Sequence, residues 1–209
     1  MISGSLWQFI SAGIILGLTS GISPGPLLTL VLNQTIRHNK TEGIKVALSP
    51  LITDLPIILI TVLILGRLAR FDMFLAVISF AGAIFLAYLG IESLRTRELS
   101  IRLQTSDSGS LKKGIIANFL NPSPYLFWAT VGTPLMLKAY KTDLLTSILF
   151  MMSFYVFLIG SKVVVAFLVD RTKQFMNQKF YLILMRTLGI VLIIFSLIFL
   201  YEGLKYLKA

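Results

Sequence analysis

The chain has 209 residues, 56% of them apolar and only 13% charged, with a mean hydropathy of +0.86; a soluble domain carries about 25% charged residues, so this composition excludes one. Cysteine is absent and histidine occurs once, at His38, which excludes disulfides, thiol redox chemistry and clustered metal ligands. The net charge of +10 sits mainly in short loops between apolar stretches, where lipid head groups account for it and nucleic acid does not.

The apolar runs are continuous rather than alternating, which favours membrane helices over a barrel. Six spans are predicted, each of about 20 residues or more, the length needed to cross roughly 30 Å of hydrocarbon. They cover residues 6–32, 43–65, 72–94, 114–137, 144–169 and 181–204. No Lys or Arg precedes Arg37, and the first apolar stretch is too long for a signal-peptide core, so it reads as a retained span.

Span one carries Gly13, Gly17 and Gly21, a spacing that lets another helix approach closely. It leads into Ser23-Pro24-Gly25-Pro26-Leu27. Proline lacks a backbone donor and clashes with the preceding turn, so this segment breaks or kinks the helix. Span two holds Asp54, between Pro50 and Pro56 and next to Thr53. An acidic residue at the bilayer centre costs about 2.5–3.5 kcal/mol on insertion scales. Such residues face the interior and mark ion or proton paths. Burial disfavours the charged form unless a cation is near, which makes Asp54 a candidate proton-coupling carboxylate. The plain structural alternative is an Asp that bonds a neighbouring broken helix. Gly82 and Gly90 in span three read as packing positions.

After span three, residues 95–113 are polar, with Ser106, Ser108, Gly109 and Ser110 at the middle. They read as a mobile cytoplasmic linker between a first three-helix unit, 1–94, and a second, 114–209. Span four contains the second break, Asn121-Pro122-Ser123-Pro124-Tyr125, its first proline 98 positions after Pro24. Asn118 and Asn121, three apart, share a helix face and are candidates for ligand contact or for capping; Ser23, Thr53 and Ser123 are weaker candidates of the same kind. Tyr125 and Trp128 read first as interface or packing aromatics.

Span five contains Lys162, about 10–12 Å from its nearer end at 1.5 Å per residue. It either snorkels to head groups, pairs with Asp54, or receives a substrate carboxylate. Arg186 in span six reads as a lipid-facing anchor.

Loops after spans one, three and five hold Arg37, Lys40 and Lys45, then Arg95, Arg97, Arg102, Lys112 and Lys113, then Arg171, Lys173 and Lys179, eleven in all. The other side holds Arg67, Arg70, Lys138, Lys141, Lys205 and Lys208, which is six. The positive-inside rule therefore puts both termini outside and the long linker in the cytoplasm. With three spans per half, the second half inserts upside-down. The expected fold is all-α, six transmembrane helices as two inverted three-helix repeats with helices one and four broken, the sequence pointer to a transporter's midplane site.

These residues resemble the LysE/RhtB family of amino-acid exporters. The match runs from Gly17 through the Pro24-Gly25-Pro26 core, on to Asp54, and then from Gly114 through Asn118, Asn121 and Pro122 to Phe127. The resemblance implies efflux of a small zwitterionic or cationic metabolite against proton entry, with Pro24, Gly25, Pro26, Asp54, Asn118, Asn121 and Pro122 lining the path. Pro50, Pro56, Pro124 and Lys162 depart from the family pattern and mark an outlying branch. The site expected is thus Ser23, Pro24, Gly25, Pro26, Asp54, Asn118, Asn121, Pro122, Pro124 and Lys162, with a small-molecule substrate, protons and the bilayer as partners and no cofactor, metal or nucleic acid. A homodimer is compatible with so small a unit. The alternatives are a lipid-modifying enzyme, disfavoured by the absence of paired acids or a His cluster, and a non-transporting helical scaffold or subunit of a larger membrane complex.

Overall fold

The computed structural model describes residues 2–65, 68–95, 109–173 and 175–208, and these are almost wholly helical. The centre of the expected linker, with Arg97, Arg102, Ser106 and Ser108, lies outside the described residues, as does Arg67. The described helices are α1 (Ile2–Ile22), α2 (Pro26–Arg37), α3 (Lys40–Ala47), α4 (Ser49–Leu65) and α5 (Leu68–Leu94), then α6 (Ser110–Phe119), α7 (Pro122–Phe127), α8 (Thr133–Thr142), α9 (Leu144–Lys173) and α10 (Gln178–Tyr206).

Among the described residues, four stretches are long and apolar enough to cross a membrane: Lys40–Thr61, Asp72–Leu94, Leu144–Lys173 and Gln178–Tyr206. A fifth is the bent pair Leu6–Ile22 with Pro26–Arg37, whose axes differ by 60°. The bend falls at the first Pro-x-Pro, as the missing donors require. Pro26 opens α2 at its first turn, where a proline lacks nothing the helix needs. Pro56 lies inside α4 and leaves it continuous in assignment.

The fourth expected span is not one helix. It is built from α6, α7, a π-helical turn at Trp128–Gly132, and α8. Asn118 and Asn121 therefore do not share a helix face. The chain leaves helix at Leu120 because Pro122 cannot continue it, and Asn121 turns extended (φ −95°, ψ 122°) to cap α7, accepting from the Ser123 amide at 3.0 Å.

Two long helix contacts hold the bundle: α1 lies along α9 in the same chain direction, and α5 lies antiparallel along α10. Both depend on small residues. A Cβ at Gly13, Gly17 or Gly21 would collide with α9, at the Phe150 carbonyl and Ser153, the Phe154 carbonyl, and Ser161 respectively. Gly90 and Gly189 face each other's carbonyl oxygens across the α5–α10 contact. Gly114 seats α6 against Val46 and Ser49 at the α3–α4 junction. In lipid, where apolar surface gives little drive to associate, such close backbone packing is what holds helices together. The outer faces carry exposed Leu, Ile and Val, as lipid-facing surfaces do. Arg186 lies among them, exposed on α10.

One face is tied by polar contacts. Glu92 on α5 takes Arg37 from α2 at 2.6 Å and Lys113 from α6 at 3.1 Å. Asn33 donates to Ser93, which donates to the Met185 carbonyl of α10, and Ser110 donates to Gln34. Lys173 pairs with Asp170 and donates to the Thr35 and His38 carbonyls at the end of α2. The end of α2, the end of α5, the start of α6 and the end of α9 are thus gathered on one side.

Candidate functional site

Where α1 ends, α2 begins, and α6 gives way to α7, the helices leave a cavity of 330 Å³. That lies within the range of roughly 300–1,000 Å³ typical of small-molecule sites. Every expected site residue except Pro122 lines it. Pro122 is buried as the first residue of α7 instead. The two breaks, separated by almost half the chain, face one space.

Asp54 is 4% exposed and held by donors from the other half of the chain. Its Oδ1 accepts from Asn118 Nδ2 at 3.1 Å, and its Oδ2 accepts from the Tyr155 hydroxyl at 3.2 Å. Asn118 donates further to Thr53 Oγ1 at 2.6 Å, and Thr53 passes its own proton back to the Ser49 carbonyl at 3.1 Å. The carboxylate is thus cradled by hydrogen bonds, and no salt bridge among the described residues includes it. Asp54 bonds the broken fourth segment, as the structural reading expected, and it also lines the cavity.

Lys162 is 3% exposed, so it does not snorkel to head groups. Neither does it form a salt bridge with Asp54. Its Nζ donates to the Ser20 carbonyl at 3.3 Å. That carbonyl belongs to the last turn of α1, whose acceptors the break leaves without helical partners. A cation there also suits the negative end of the helix dipole. Across the break, Gly25 is extended and caps α2 without a side chain, so the first amides of α2, at Leu27 and Leu28, begin at the cavity wall uncapped. The Lys162 ammonium, the uncapped start of α2 and the Asp54 carboxylate therefore line one cavity.

Tyr125 and Trp128 are packing residues, each 1% exposed, as the first reading had them. Tyr125 donates to the Phe119 carbonyl at 2.9 Å and so holds the end of α6. Trp128 packs edge-on against Phe154, with ring centroids 5.6 Å apart. It opens the π-helical turn, an irregularity common at functional sites. Tyr155, Ser20 and Glu202 are site residues that sequence reasoning did not single out. Glu202 had a usable signal, an acid near the end of an apolar span. Tyr155 had none, since a tyrosine in a span is common. The lone histidine, His38, lies at the tied face; burial and then Arg37 hold its imidazole below the ordinary value of 6.5.

A family model described as LysE type translocator matches residues 18–203, which takes in both breaks, Asp54, Lys162 and Glu202. The comparisons with curated proteins and with solved structures give no match.

Proposed function

The chain belongs to the LysE type translocator family, whose members are transporters and not enzymes, and we propose that it is a secondary transporter exporting amino acids or related small metabolites across the bacterial inner membrane by proton antiport. The observation that carries this reading is the convergence of two broken helices on one cavity with an acidic wall. Broken backbone within a bilayer is tolerated where it lines a cavity, and transporters place their sites there. A zwitterion matches the charge layout. Its carboxylate suits the start of α2 and Lys162, and its ammonium suits Asp54. Protonation of Asp54 would remove the ammonium's partner, so proton and substrate would alternate.

Helix contacts support two inverted three-helix repeats. If helix pair α1–α2, α3–α4 and α5 correspond in order to segment α6–α8, α9 and α10, the α1–α9 contact maps onto the contact of α6 with α3 and α4. The α5–α10 contact maps onto itself. All three contacts are present. The tied face carries the loops richest in Lys and Arg, which supports a cytoplasmic placement for it and periplasmic termini. On this reading the Glu92 cluster closes the cytoplasmic side of the cavity. The cavity is complete within one chain, so a homodimer is not needed to build it.

The test is transport in proteoliposomes with an imposed pH gradient and a panel of amino acids, comparing the intact protein with Asp54→Asn. Gradient-driven flux of a substrate, lost or uncoupled in the variant, is the expected result. Flux with unchanged rate and pH dependence in Asp54→Asn would sink the role of Asp54. No flux of any amino acid by the folded protein would sink the substrate class.

A further inference from the structure

Glu202 lies in the last turns of α10 and lines the same cavity as Asp54 and Lys162. Its Oε2 is buried and has no hydrogen-bond partner among the described residues, and no salt bridge there includes Glu202. Asp54, by contrast, accepts a hydrogen bond at each of its carboxylate oxygens. A buried carboxylate oxygen without a donor is costly when ionised, and that cost disappears when the group takes a proton.

Position along the fold adds a second argument. Met185 of α10 belongs to the tied polar face through Ser93. Glu202 is seventeen residues further on, about 25 Å at 1.5 Å per residue, and so near the opposite face. Asp54 is only five residues from Ser49, where Gly114 seats α6, and so lies between the two. The other titratable groups about Glu202 are Lys205 and Tyr206 on its own helix and Asp72 on α5, which acts on Tyr206. Across the cavity stand Asp54 on α4 and Lys162 on α9, with the Tyr155 hydroxyl of α9 bonded to Asp54. Lys205 is one turn toward the helix end, and Lys162 is engaged by Ser20.

We propose that Glu202 is a second proton-binding carboxylate of the transport path, passing protons between Asp54 and the membrane face at which α10 ends. The inference rests on the proton-antiport reading above. Each transfer leaves one carboxyl neutral and the other ionised, and water held in the cavity by Asp54, Asn118, Lys162 and Glu202 on its wall carries the proton between them. No bond other than O–H forms or breaks.

Infrared difference spectroscopy of the protein in proteoliposomes, titrated with pH, reads the protonated carboxyls without needing a substrate. Proton movement on adding a mixture of the standard amino acids, followed by an entrapped pH dye, is measured on the same samples. Glu202→Gln should remove one titrating carboxyl band and lower proton-coupled flux at least tenfold with a changed pH profile. Glu202→Asp should restore a titrating band, moved in position, and part of the flux. The same band set and the same pH profile in Glu202→Gln would overturn the proposal for Glu202 alone. An intact protein that moves no protons on amino-acid addition would overturn the antiport reading and the relay with it, whatever the bands show. Should Glu202→Gln fail to fold, Glu202→Asp decides: a band that neither moves nor changes its titration overturns the proposal.

Discussion

At the residue scale, Asp54 combines two demands that substitutions can separate. Asparagine keeps one acceptor oxygen for Asn118 and offers a donor that the Tyr155 hydroxyl can accept by turning its hydrogen. Asp54→Asn should therefore melt close to the parent in detergent. Alanine leaves one Asn118 N–H and the Tyr155 hydroxyl facing no acceptor. Leaving a buried group unsatisfied costs about 1–3 kcal/mol each. Asp54→Ala should be clearly less stable than Asp54→Asn in thermal unfolding, and equal melting of the two would show that the cradle contributes nothing. Lys162 has an analogous role toward the backbone. Asp54 and Lys162 were legible as anomalies, because a charge in an apolar run is conspicuous. That Lys162 binds a carbonyl of α1 was not legible, since Ser20 lies 142 positions away.

At the element scale, the prolines set where helices stop, and the glycines set how closely the stumps are held. Gly17 faces the Phe154 carbonyl and Leu158 amide of α9, and Gly114 faces Val46 and Ser49. A leucine at Gly17 meets backbone rather than a yielding side chain, so α1 must shift away and the first break moves with it. Overpacking of this kind costs typically about 1–3 kcal/mol. Gly17→Leu should lower the melting temperature and abolish substrate flux, while leucine at Gly160, where an added Cβ meets nothing within 4 Å, should change neither. Full flux in Gly17→Leu would show that the α1–α9 contact does not position the break. The first break was readable because it interrupts one apolar run with two prolines. The division of the fourth segment into three helices and a π-helical turn was not, because hydropathy averages over breaks. Asn118 and Asn121 were read as helix neighbours for the same reason, when the proline between them and α7 makes one a donor to Asp54 and the other a cap.

At the scale of the whole molecule, Glu92 ties α2, α5 and α6 through Arg37 and Lys113. The three side chains are 20–30% exposed, between surface and buried. Glu92→Gln should cost about 1–2 kcal/mol, between the values for exposed and buried pairs, and should raise accessibility of the cavity from that side. A cysteine at Ser23, labelled from the cytoplasmic side, reads this: faster labelling with Glu92→Gln is expected, and unchanged labelling would show that the cluster does not close the path. Sidedness is tested with a cysteine at Lys112, which is exposed next to the cluster; labelling by an impermeant reagent only from the cytoplasm is expected, and periplasmic labelling would reverse the topology. The sequence by itself determined that this is a helical membrane protein, where its helices break, and that one acid sits deep in an apolar span, because composition, proline and hydropathy act locally along the chain. Only the tertiary structure decided that both breaks open on one cavity, that Asn118 and Tyr155 hold Asp54, that Lys162 caps α1, and that Glu202 shares the wall. Those facts depend on contacts between residues far apart in sequence, which arise when small residues let helices meet and buried polar groups must find partners.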